Sequence, residues 1–253
     1  MLLLAHGNGS LLPENNITMQ VNPLSLILMF FGVLWIYLTA YAWRRRSTVG
    51  VIPFTGILAT ASIYTLAYSM ELSSLDIQSM LFWSKIEYLG NITLPAFWLV
   101  FVFQYSRREK WVTRRTLFFI FLIPVITILL KFNDDFLHLI YRTTWVDTSG
   151  PIALLSFTRG PWYWVDVAYT VLAILAGIIL LWLNLANQPL LYRQQMTIMT
   201  ISASVPLLVY ILYAMGLQPV PSLKELDLNP FSFIILSLGV FWVMFRYQLV
   251  DLM

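Results

Sequence analysis

Four ionisable side chains, Glu71, Lys85, Glu87 and Asp166, fall in or at the edge of stretches that are otherwise apolar. Tyr88, Asn91, Trp162, Tyr169 and Tyr210 lie near them in the same stretches. Charged groups in a lipid-like environment are costly, so each needs a partner or a task. An acid and a base of this kind can receive the opposite charge of a ligand, exchange a proton, or clamp neighbouring helices. Lys85 and Glu87 are two residues apart, so on a helix they point to different faces and pair poorly. Glu71 is the natural partner for Lys85, as a strut between helices; the alternative is that Lys85 reaches up to the interface. Glu87 can bond Tyr or Asn on a neighbour, accept a ligand cation or amide, or hold a proton. Asp166 reads as a solvated interfacial carboxylate.

What must position these groups is a membrane bundle. The chain has 253 residues, of which 59% are hydrophobic and 11% charged. Soluble domains carry about 25% charged residues, so most of this surface faces lipid. Seven segments approach the roughly 20 apolar residues that a spanning helix needs. They are about 23–43, 51–70, 79–105, 115–131, 161–185, 192–216 and 229–248. One domain, 1–253, uses the whole chain. The expected fold is an all-α membrane protein, a seven-transmembrane helix bundle. Between the fourth and fifth spans, residues 139–146 and 152–158 flank the turn residues Asp147 to Pro151 and predict a small β-hairpin. Pro161 suits a first helical turn, and Asn229 with Pro230 suits a helix start.

The basic residues set the orientation. Arg44, Arg45, Arg46, Arg107, Arg108, Lys110, Arg114, Arg115, Arg193 and Arg246 cluster on one side, against Lys131, Arg142, Arg159 and Lys224 on the other. The excess marks the cytoplasmic face of a multi-pass protein of the cell membrane. The N-terminus is then outside, the C-terminus inside, and the hairpin extracellular. This threading brings Tyr64, Tyr68, Glu71, Lys85, Glu87, Tyr88, Asp166, Tyr169, Tyr210 and Tyr213 into the outer half.

Several functions are disfavoured by what is missing. With no cysteine there is no disulfide and no thiolate ligand. His6 and His138 both fall outside the apolar runs, so no metal site and no cofactor is expected, and no nucleic acid partner either. No phosphate-binding loop or nucleophile constellation occurs, and the last span lacks the lysine that a retinal Schiff base would need. The triplets beginning at Asn8 and Asn16 read as chance in a polar tail. Pro95 and Pro206 interrupt spans and can kink or hinge them. Gly56 with Thr60, and Ala173 with Gly177, are small-residue pairs suited to close helix packing, with a homodimer left open.

The order of motifs resembles the N-terminal seven-transmembrane sensor region of bacterial and archaeal histidine kinases. Glu71 ends the second span; Trp83, Lys85, Tyr88 and Gly90 follow; then come Pro95 with Trp98, and Tyr105 before the basic loop. Residues 147–151, Gly160-Pro161, Tyr192-Arg193 with Gln195, 227–230 and the ending from Arg246 to Leu252 add to the likeness. The resemblance implies a sensory input domain that passes a signal to a cytoplasmic output domain after the seventh helix. The chain stops at Met253, where that output would begin, so it is expected to have no kinase activity of its own. The expected ligand, a small molecule or lipid, enters beneath the hairpin and meets Glu71, Lys85, Glu87, Tyr88, Asn91, Trp162, Asp166, Tyr169 and Tyr210. The competing readings are a small-solute transporter and a structural anchor or dimerisation module.

Overall fold

The computed structural model describes residues 19–20, 22–185, 190–217 and 226–246. The triplets at Asn8 and Asn16, Lys224 and residues 247–253 lie outside them. The helices are α1 (Pro23–Trp43), α2 (Val51–Ser73), α3 (Ile77–Asn91), α4 (Leu94–Tyr105), α5 (Arg114–Phe132), the short α6 (Asp134–Leu137), α7 (Pro161–Leu185), α8 (Leu190–Ala214) and α9 (Asn229–Arg246). Six segments are long and apolar enough to cross a membrane, with α3 and α4 sharing one of them, Ile77–Tyr105. The apolar part of α9, Asn229–Val243, is shorter.

The second helix is the hub. It packs against α1, α3, α4 and α9, and 17 of its 23 residues are buried. A helix buried all round cannot use a polar face, so its sequence is small and self-satisfying. Thr55, Thr60, Ser62 and Ser73 each bond a carbonyl three or four residues back. Phe54, Leu58, Trp98, Phe101, Met199 and Phe233 form the central core around it. Close approach to α3 depends on Gly90. A Cβ there would lie 2.4 Å from the Thr60 carbonyl oxygen and 2.6 Å from the Tyr64 nitrogen, both backbone atoms.

The third span is two helices rather than the single one expected. Proline lacks the N–H that would continue the ladder, so the helix breaks before it. Pro95 sits in the first turn of α4, with Ile92 and Thr93 as the break. The Thr93 hydroxyl donates to the carbonyls of Leu89 at 2.6 Å and Gly90 at 3.2 Å. Pro124 lies inside α5, which stays unbroken, and removes only the ladder bond to the carbonyl of Ile120, four residues back. Tyr169 of α7 donates its hydroxyl to that oxygen at 2.8 Å.

The strands β1 (Tyr141–Asp147) and β2 (Leu154–Arg159) pair antiparallel, with an irregularity between Tyr141 and Thr143. Asp134 anchors their base, accepting from the backbone N–H groups of Ile140 at 2.9 Å and Tyr141 at 2.8 Å. Leu154 to Phe157 are all buried, so β2 lies on the bundle instead of standing in solvent.

The helix ends meet at two poles. At the pole with the arginine-rich turns, Tyr105 hydrogen-bonds Gln195, and Gln104 accepts from the Gly50 N–H at 3.2 Å. At the other pole the ends of α2, α5 and α8 gather with the starts of α3, α7 and α9 beneath the hairpin.

Candidate functional site

The buried polar groups at the hairpin pole follow from helical spacing. Tyr64, Tyr68 and Glu71 are four and three residues apart, and so share one face of α2. Ser84, Glu87 and Tyr88 share one face of α3 by the same rule. Where these faces meet they close a cavity of about 20 Å³, roughly the room one water needs. Tyr68 and Glu71 line it from α2, Ser84 and Glu87 from α3, and Tyr213 from α8. The hairpin supplies Tyr141, Leu154, Leu155 and Phe157 as a roof, and Asp227 completes the wall. Glu71 and Glu87 are 7% and 8% exposed, and their carboxyl groups come within hydrogen-bonding range of each other. Such a bond needs a proton held between the two, since carboxylates only accept.

Asp227 is the best-connected member. It takes a hydrogen bond from the Tyr64 hydroxyl at Oδ2. Its Oδ1 accepts from the backbone N–H of Asn229 at 2.9 Å and from Asn229 Nδ2 at 2.8 Å. Its own N–H donates to the Tyr68 hydroxyl at 2.7 Å. It therefore ties two tyrosines of α2 to the first residue of α9. Burial pushes the Asp227 carboxyl above its ordinary value, and the bonds from Tyr64 and Asn229 work against that rise. The acceptor at the start of α9 is thus Asp227, not Asn229, whose own Oδ1 is buried without a partner.

Behind the chamber lies Lys131, in the last turn of α5 and only 2% exposed. Its ammonium sits 3.3 Å from the ring centre of Tyr141 and 4.5 Å from that of Tyr88. Phe157 stacks on Tyr141 with centroids 3.9 Å apart. Burial pushes the Tyr141 hydroxyl well above its ordinary value, so the ring remains a neutral phenol. Lys131 interacts electrostatically with Glu71, Glu87, Asp134 and Asp166.

Several expected site residues have other places. Lys85 neither struts to Glu71 nor merely reaches for the interface: its ammonium meets Asp135 at 2.5 Å. The cation near Glu71 is Lys131. Asp166 is 3% exposed, a buried group rather than a solvated one. It lies beside Thr170 and is near enough to Tyr88 and Tyr210 to interact with them electrostatically. Trp162 donates to the Thr127 hydroxyl at 2.9 Å, and Tyr169 serves the Ile120 carbonyl. Both pin α7 to α5 and line no part of the chamber. Asn91 is half-buried at the end of α3 and does not line it either. The chamber keeps Glu71 and Glu87 from the expected set, with Tyr88 one ring behind.

Lys131, Tyr141 and Asp227 were not among the expected site residues. Lys131 looks like an interfacial topology marker, although Asp134 three residues on was a signal for a buried pair. Asp227 stands two residues before the Asn229-Pro230 helix start, where a side-chain acceptor is wanted. Among the described residues, no group of three or more His, Asp or Glu is placed to hold a metal ion.

Six apolar spans built around polar groups at one pole make this a polytopic membrane protein of the helical-bundle class. It belongs to the family described as the N-terminal 7TM region of histidine kinase, whose model matches residues 27–253. This is a sensor region rather than a catalytic one. No curated protein is significantly similar to the chain.

Proposed function

We propose that the chain is a seven-span sensory input domain whose ligand site is the acid–tyrosine chamber, and that Asp227 relays its state to α9. The observation that carries this is the dual membership of Asp227. The same carboxyl lines the chamber beside Glu71 and Glu87 and holds the first residue of the last helix. Any change in charge or volume inside the chamber bears on the start of α9 without an intervening element. The excess of basic residues at the far pole supports a cytoplasmic placement there and an outward-facing hairpin, in the plasma membrane.

The chamber holds no more than about one water, so a larger ligand requires the roof to lift. The hairpin is suited to that: its base is fixed by Asp134, while Tyr141 is the one buried residue of β1. Ligand binding must favour the lifted arrangement over the closed one, or nothing is transmitted. A transporter would need a polar route on to the arginine-rich pole, and the core between the poles is apolar.

Native mass spectrometry of the purified chain tests the site. A retained small molecule or lipid should be lost in Glu87→Gln and Glu71→Gln and kept in Lys85→Met, with all three variants folded. Retention in both glutamate variants would remove the chamber assignment.

A further inference from the structure

We infer that the Tyr141 ring bordering the chamber is an ammonium site, held in this structure by Lys131 from behind the chamber, and that the chamber's ligand is a small organic ammonium that displaces Lys131 from that ring. The inference rests on the sensory reading above and names the chemistry of its ligand. The lining has one sign. Glu71, Glu87 and Asp227 supply three carboxyl groups, and Tyr68, Tyr141, Phe157 and Tyr213 supply four aromatic rings. No basic side chain lines it among the described residues. An anion would face three acids, and a neutral ligand that displaced Lys131 would leave Glu71 and Glu87 without their cation.

The rings separate an organic cation from a metal ion. Hard cations take six or more oxygen ligands, whereas ammonium groups bind over aromatic faces. The protein already packs one ammonium in this way. Lys131 lies over Tyr141, with Phe157 stacked on the same ring. Tyr88 flanks the ammonium, its ring edge-on to Tyr141 at 6.2 Å. With both faces of Tyr141 taken, a second ammonium can use the ring only by displacing the first. Lys131 would then act as a tethered competitor. It holds the chamber closed, and its release frees the end of α5, three residues before the Asp134 that anchors the hairpin.

The test uses the full chain in detergent, with thermal unfolding as readout. Lys131→Ala removes the tethered ammonium and leaves space for n-propylammonium, which has the length of the missing side chain. Lys131→Ala should unfold at lower temperature than the parent. At a hundredfold excess over its Kd, n-propylammonium should raise that temperature by about 5–10 °C. Neutral 1-propanol and matched sodium chloride should not. The parent should need more n-propylammonium for the same shift, and Tyr141→Leu should lose the response. Ethanolamine and short-chain phosphatidylethanolamine, titrated in parallel, distinguish a free amine from a lipid headgroup.

Rescue by 1-propanol equal to that by n-propylammonium would overturn the inference, as would no rescue at all. If Lys131→Ala does not fold, a parent response that survives Tyr141→Leu overturns it equally. A retained neutral or anionic molecule, lost in Glu87→Gln, would leave the sensory site standing and sink only the ammonium.

Discussion

Tyr64→Phe removes one oxygen from the middle of the proposed relay. Tyr64 is fully buried, and Asp227 is 4% exposed. Asn229 occupies Oδ1 twice, so the Tyr64 hydroxyl is the hydrogen-bond donor to Oδ2. Losing a hydrogen bond to a buried charged group costs about 1.5–3 kcal/mol. For a chain of this length that is about 3–12 °C in melting temperature. Asp227→Asn keeps the shape but exchanges the acceptor for a donor. Combined with Tyr64→Phe it should cost less than the two singles together, by about 1 kcal/mol or more. Singles that add within about 0.5 kcal/mol would refute the coupling. The absence of cysteine helps the assay, since a label pair on α2 and α9 can follow the same variants without background. The pair also has a pH signature. Burial raises the Asp227 carboxyl above its unfolded value of about 3.9. Its contribution to stability is then complete below that value and is lost as pH rises through the folded one. Asp227→Asn has no such loss, so the parent should weaken relative to it as pH rises.

Gly90→Ala should destabilise by about 1–3 kcal/mol, because the new Cβ meets backbone of α2 and the helices must part; a neutral effect in thermal unfolding would contradict the packing. Lys85→Met should change stability by no more than about 1 kcal/mol, since Asp135 is half-exposed and such pairs contribute little. Lys131→Met should cost about 3–5 kcal/mol by stranding buried acids, and equal effects of the two would show that the buried cation has been misassigned. Tyr169→Phe should destabilise the parent but have less effect in a Pro124→Ala background. There a restored backbone N–H serves the Ile120 carbonyl, and an unchanged penalty would refute that role for Tyr169.

The length of the apolar runs made most of the helices readable. Pro161 begins α7 where a proline is tolerated, and the turn residues from Asp147 to Pro151 separate two paired strands. That the polar groups of different spans gather at one end was readable too, and Glu71 and Glu87 meet there in the chamber. Facing was harder. Tyr169 and Trp162 sit at the right height, yet they turn toward α5, because Pro124 leaves a carbonyl there and Thr127 offers an acceptor. The rotation of a helix about its axis depends on its neighbours, and a single span does not carry that information. Lys131 reads as a topology marker rather than a buried group for a different reason. A lysine at the end of an apolar run has two outcomes, snorkelling or burial, and only the acids on α2, α3 and α7 decide between them.

The placement of the acids argues against a purely structural purpose. A clamp between helices works best as matched pairs, because an unmatched buried charge destabilises strongly. Here Glu71, Glu87, Asp134 and Asp166 all interact with one buried lysine, Lys131, the only buried lysine among the described residues, and Asp227 lines the chamber beside them. The central core between the poles shows that this chain can pack helices with Phe54, Trp98 and Met199 alone. An acid surplus at one pole, roofed by a hairpin and tied to the last helix, is an arrangement that a bound cation would stabilise. That is the thermodynamic condition for a ligand to shift the equilibrium between two states of a receptor.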